Sequence, residues 1–135
     1  LDFFKGMLPT LIACKLFSFS PIWVISTGVT AIVGHSLSPF LKFKGGKGAA
    51  TGLGVMAAIA PNIFVVLFAV VAFLIYATRV MAIATLTACL LAPLLLWLLG
   101  YSLVYVGLVS LASLFIWIRH RSNIVRILKG TENRL

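Results

Sequence analysis

Acidic side chains are almost missing from this chain: Asp2 and Glu132 are the two carboxylates in 135 residues, against eleven lysines and arginines. Two isolated acids cannot hold the magnesium that ATP or GTP hydrolysis requires, so nucleotide hydrolysis is excluded and no metal is expected. Cysteine is equally scarce. Cys14 and Cys89 lie within apolar runs, without metal-ligand spacing, and read as small packing residues. Charge of either sign is low, at 10% of residues, and no segment alternates apolar and polar with period two, which excludes barrel strands. Also lacking are an initiator methionine and the basic, apolar and small-residue pattern of a signal peptide, since "LDFFKGMLPT" opens the chain. The expectation is a chain that begins mid-protein.

What is there is hydrocarbon: 62% of residues are hydrophobic. That composition implies an integral membrane protein, all-α, with residues 1–135 forming a single transmembrane helical domain. Apolar stretches run over 6–18, 21–41, 49–60, 62–77, 80–98 and 101–118, separated by charged, proline or glycine punctuation. A net charge of +9 would suggest nucleic acid in a soluble protein, but here the basic residues sit at segment ends, where they set membrane orientation. No nucleic-acid partner is expected. Reading 49–77 as two short helices hinged at Ala60-Pro61-Asn62 gives six crossings, and places every one of the eleven basic residues except Lys15 on the cytoplasmic side.

On that side falls "FLKFKGGKGAATGLG", residues 40–54. Gly45, Gly46 and Gly48 suit a turn with positive φ that exposes consecutive N–H groups, and a helix beginning near Ala49 aims its positive dipole end at the same place. This is a nest for an anion, with Lys47 at its middle and Lys42 and Lys44 at its rim. The Walker pattern is not met, because Leu41 and Gly48 stand where glycine and a hydroxyl are needed. Close helix packing is the competing explanation of the glycines, since Gly48 and Gly52 have G-x-x-x-G spacing. Packing does not account for Lys47.

The chain closes on "RHRSNIVRILKGTENRL". Continued as helix, this tail puts His120, Asn123 and Ile127 on one face and Arg119 and Arg126 on another. A basic juxtamembrane tail binding anionic lipid is the plain alternative, yet His and Asn add nothing to lipid attraction and suit a hydroxyl or a phosphate. Glu132 is placed to pair with an arginine. His35 in "GHSLSPF" and the Asp2/Lys5 pair, one helical turn apart, are supporting polar groups near the same surface.

Taken together these stretches resemble the bacterial membrane glycerol-3-phosphate acyltransferases that use acyl phosphate, the PlsY family. The pattern D-x-x-K-G is met by Asp2, Lys5 and Gly6, and F-K-G-G-K-G-[VA]-A-T by residues 43–51. R-H-x-x-N-I-x-R-L-x-x-G-x-E is met by residues 119–132, with Ile127 in place of leucine. The resemblance implies a seven-helix bundle in a bacterial inner membrane whose first helix and first motif precede the segments seen here. It also implies transfer of a fatty acyl group from acyl phosphate to the 1-hydroxyl of glycerol 3-phosphate, with no cofactor.

By the same resemblance Lys47, His120 and Asn123 are the expected catalytic residues. Gly45, Gly46, Lys47, Gly48, Thr51 and Arg126 are expected to bind phosphate, supported by Asp2, Lys5, His35, Lys44, Arg119 and Glu132. Besides the two substrates and membrane lipid, it leaves room for a soluble acyl-phosphate-forming enzyme as partner. The rival reading is a small anion or lipid transporter that uses the same nest, with the Pro61 break as its moving part.

Overall fold

The computed structural model describes residues 1–17, 20–37 and 46–135, so Lys42, Lys44 and Gly45 lie outside the described residues. Seven helices form among the described residues: α1 Asp2–Leu16, α2 Pro21–Ser36, α3 Ala49–Ile59, α4 Pro61–Thr78, α5 Met81–Leu98, α6 Leu103–Arg119 and α7 Arg121–Leu128. The punctuation works as its chemistry dictates. Pro21 and Pro61 each open a helix at a position where no N–H is needed, and Gly100, at φ 76°, turns the chain out of α5. Arg79 ends α4 in the left-handed region at φ 57°. Within the apolar helices, Thr10, Thr27, Thr85 and Ser110 donate their hydroxyls to the carbonyl four residues back, which satisfies them without a solvent partner.

The helices α1 to α6 run alternately up and down. Asp2 at the start of α1 approaches His35 at the end of α2, and Arg119 at the end of α6 reaches Ser36. Tyr101, before α6, bonds Asn62 in the first turn of α4 at the other end of the bundle. The amide of Leu135 donates to the carbonyl of Arg79, so the α4–α5 turn lies at the same end as the C-terminal tail. Among the described basic residues only Lys15 stands apart from this end.

The interior is a continuous apolar cluster including Ile25, Val55, Leu67, Leu96 and Ile116. The exterior is apolar as well: Val65, Phe68, Phe73 and Tyr76 of α4 are all exposed, as expected of a surface that meets lipid tails. Among the described residues α4 and α5 are long and apolar enough to cross a membrane, with a third span if α6 and α7 count as one bent pair.

Small residues bring helices into backbone contact, though at different positions from those the spacing suggested. A Cβ on Gly6 would strike the carbonyl of Thr51, and one on Gly54 the carbonyl of Phe3, so α1 and α3 touch main chain to main chain. Gly28 likewise receives Val55 of α3. Gly52, in contrast, would meet Ile116 only at an ordinary 3.4 Å. The tail also departs from expectation. It does not continue α6 but bends by 61° at His120, because α7 carries charge on one face and must leave the apolar bundle.

Gly6→Ala and Gly54→Ala are each expected to destabilise the fold by about 2 kcal/mol or more, the cost of forcing volume into a closed contact. Gly107→Ala, at an open position, is expected to be neutral. Thermal unfolding in detergent compares the three, and equal midpoints would remove the α1–α3 contact from the account.

Candidate functional site

The last turns of α2 and α6 and the first turn of α3 converge at one end of the bundle. Gly48 caps α3 in the left-handed region at φ 83°, where a side chain would also press Ile32 and the Ser36 hydroxyl, each at 3.0 Å. The first hydrogen bond that closes there runs from Gly52 N–H to the Gly48 carbonyl at 2.8 Å. The amide hydrogens of the first turn, before Gly52, therefore have no intrahelical acceptor and carry the positive end of the helix dipole. Gly46 is glycine for space, because the His35 ring occupies the position its Cβ would take.

Lys47 aims from this turn across to α7, where its ammonium donates to Asn123 Oδ1 at 2.5 Å. Asn123 in turn donates its amide hydrogen to Glu132 Oε1 at 2.6 Å, and Arg126 Nε donates to Glu132 Oε2 at 2.7 Å. A lysine, an amide, a carboxylate and a guanidinium thus form one chain of hydrogen bonds. Glu132 is held below the usual carboxylate range, chiefly by the Arg126 hydrogen bond, with the Asn123 hydrogen bond helping against partial desolvation.

His120 sits at the α6–α7 bend, 4% exposed. Its Nδ1 lies 2.8 Å from the Ile116 carbonyl, and a carbonyl only accepts, so Nδ1 bears the proton and the neutral ring keeps a lone pair on Nε2. Burial is the main cause that holds this imidazole below the ordinary histidine value, with the Lys47 ammonium adding to it. The Ile116 hydrogen bond and the Glu132 charge oppose that shift without reversing it. The arrangement offers a neutral base, an amide and two cations beside a row of open N–H groups.

The expected site residues distribute as follows. His120, Asn123, Lys47, Arg126, Glu132, Gly48 and Gly46 are brought together. Arg119 donates from Nη2 to the Ser36 carbonyl at 3.3 Å, which ties α6 to α2. His35 faces Asp2 Oδ2 at 3.7 Å, and Asp2 Oδ1 accepts from Lys5 at 3.0 Å. Thr51 is fully buried beneath Gly6, and its hydroxyl finds no partner among the described residues. Ser36 was not singled out by sequence, although it follows His35 directly. It is fully buried, receives Arg119, and sets its hydroxyl against Gly48.

Beyond the nest an apolar cleft continues into the bundle, with Ala49, Gly52, Ile32 and Ile116 at its near end and Cys89, Ala92 and Val109 farther in. The same two isoleucines flank Gly48, so nest and cleft share a wall.

The family model described as glycerol-3-phosphate acyltransferase matches residues 1–130. A glycerol-3-phosphate acyltransferase of Aquifex aeolicus is 39% identical over 135 residues, covering 99% of this chain and 70% of that protein. One of Hahella chejuensis is 43% identical over 134 residues, covering 99% and 68%. Crystal structures of PlsY (YgiH), an integral membrane glycerol 3-phosphate acyltransferase, in lysophosphatidic acid and glycerol 3-phosphate forms, both superpose with a TM-score of 0.94 at 37% identity. They cover 99% of this chain and 68% and 67% of the solved chains.

Acid is expected to loosen this end of the molecule in two stages. His120, lowered in the folded state, supports the fold fully above its ordinary 6.5 and stops doing so as pH falls through its lower folded value. Glu132, also lowered, contributes fully above its ordinary 4.5 and loses that contribution as pH falls through its folded value. Melting temperatures measured from pH 8 to pH 3 should decline first below about 6.5 and again below about 4.5, with His120→Asn removing the first decline and Glu132→Gln the second. A profile that is flat across both windows contradicts these assignments.

Proposed function

Because the chain belongs to the glycerol-3-phosphate acyltransferase family, we propose that it moves a fatty acyl group from acyl phosphate to the 1-hydroxyl of glycerol 3-phosphate, releasing lysophosphatidic acid and inorganic phosphate. The observation that carries this reading is the Lys47–Asn123–Glu132–Arg126 chain, set beside His120 at the N-terminus of α3. Acyl phosphate is an anion on a lipid tail, and here an anion nest shares a wall with an apolar cleft, which suits both ends of such a molecule. The lysophosphatidic acid and glycerol 3-phosphate forms of the solved relative agree with the product and acceptor proposed.

In this reaction the acceptor hydroxyl oxygen bonds to the acyl carbonyl carbon, the carbon–oxygen bond to phosphate breaks, and the electron pair leaves with phosphate. Two phosphates must approach each other, and the Lys47 and Arg126 charges offset their repulsion. The open N–H groups of α3 receive charge that develops on the departing phosphate or the carbonyl oxygen. His120 Nε2, unprotonated and held in its tautomer by Ile116, takes the hydroxyl proton or orients the hydroxyl while a substrate phosphate oxygen takes it. Asn123 is fixed by two charged neighbours, Lys47 and Glu132, and so presents a set orientation to the substrate.

Transfer is direct. Cys89 is buried in the apolar core and Cys14 lies on α1, away from this end, so neither is placed as a nucleophile. The gathering of basic residues at the site end agrees with an active site on the cytoplasmic side of a bacterial inner membrane, reached by donor from the leaflet and by acceptor from water. A soluble acyl-phosphate-forming enzyme would meet the protein at this face.

Reconstituted protein supplied with acyl phosphate and labelled glycerol 3-phosphate is expected to form labelled lysophosphatidic acid. Protein-dependent uptake into vesicles without product would instead establish a transporter. Lys47→Ala and Asn123→Ala are each expected to lower kcat by about a hundredfold or more while leaving the melting temperature within a few degrees. The double change Cys14→Ala/Cys89→Ala should retain turnover, and its loss in a folded variant would revive covalent catalysis.

A further inference from the structure

The polar groups at the start of α1 and the end of α2 are not accounted for by transfer chemistry. His35 is nearly buried, with its side chain 9% exposed, although it stands in the last turn of a helix at the polar end of the bundle. Its Nε2 lies 3.7 Å from the Asp2 carboxylate, too far for a hydrogen bond. The same edge of the ring is pressed on the Gly46 backbone: Nε2 comes nearest the place where a Cβ would stand, with Cε1 and Cδ2 at 3.2 and 3.3 Å. Asp2 is held in turn by Lys5. Lys5, Asp2, His35 and Gly46 therefore form a stack that begins on α1 and ends at the residue before Lys47.

The geometry points to His35, braced by Asp2, as a positioning residue that fixes the Gly46 backbone and thereby sets the shape of the phosphate nest. This rests on the anion-binding role proposed above for Gly46–Gly48, and deepens it. A nest binds through main-chain N–H groups, whose directions depend on a few dihedral angles, and a glycine has the least resistance to changing them. A buried aromatic ring against its Cα supplies the resistance that the residue lacks. The contact with Asp2 holds the ring there, because an imidazole in the last turn of a helix has other rotamers to visit. The arrangement also explains why Gly46 is a glycine.

Inorganic phosphate is the probe, since it is the product the nest would release. Its affinity is measured by calorimetry on purified protein in detergent for wild type, His35→Ala, Gly46→Ala and the double change. Each single change is expected to weaken phosphate about tenfold, the first by freeing the backbone and the second by driving a methyl into the ring. In the double change the methyl enters the space that the ring vacates, so the loss should be no greater than in either single variant, a coupling of about tenfold.

A structural defect alone would not make the two losses overlap in this way. Asp2→Asn, a change at a half-exposed site that leaves the packing intact, is expected to weaken phosphate about threefold and decides the matter if Gly46→Ala does not fold. Losses that multiply in the double variant, or wild-type affinity in His35→Ala or Asp2→Asn, overturn the positioning role. Transfer by the wild type is measured alongside. An active wild type with independent effects overturns the positioning role alone, whereas a wild type that neither binds phosphate nor transfers overturns the reading beneath it.

Discussion

The Glu132 carboxylate is the constraint on which the site depends. It accepts from Asn123 and Arg126 at once, and through Asn123 it orients the group that receives Lys47. Without it, a lysine and an arginine would face each other across an amide free to flip, and like charges at that spacing repel. With it, α3, α7 and the C-terminal tail are locked to one another by charge-assisted hydrogen bonds, which are shorter and stronger than neutral ones. The carboxylate thus lets several positive groups coexist in one place while leaving them able to meet an incoming anion.

That cluster stands on a scaffold governed by different physics. Lipid tails offer helices no hydrophobic reason to associate, so contact area must come from close approach, and glycines at Gly6, Gly28 and Gly54 allow it. The contact between α1 and α3 holds the helix whose N-terminus forms the nest. The hydroxyls of Thr10 and Thr85 fold back on their own helices. The bundle keeps its polarity at its ends, and the site is built at the end where the charges gather.

Helix positions were legible because proline, glycine and charge interrupt apolar runs, and α3 to α6 begin and end within a few residues of those interruptions. The break at Ala60-Pro61 followed from proline chemistry together with the distribution of basic residues. The site residues were legible as types, since a lysine among glycines and a histidine and asparagine in a basic tail have few uses in hydrocarbon. Their partners were not. The bend at His120 depends on where α6 leaves the core, and the reason for Gly46 lies in a ring eleven residues away. Nor did G-x-x-x-G spacing identify the tightest glycines, because that spacing marks a face without saying which neighbour approaches it. Ser36 was invisible for the same reason: its role is to be touched.

α3 contains eleven residues and rises about 16 Å, roughly half of a ~30 Å hydrocarbon layer. The reversal at Ala60 joins it to α4, whose 18 residues return to the polar end, and Ala60 is fully buried there, with its own carbonyl taken by Phe64. Tyr101 and Asn62 form a hydrogen-bonded pair one step beyond. A thinner host bilayer would bring that pair nearer to water. Bilayer thickness therefore bears on the shortest helix of the bundle and on the pair that follows it.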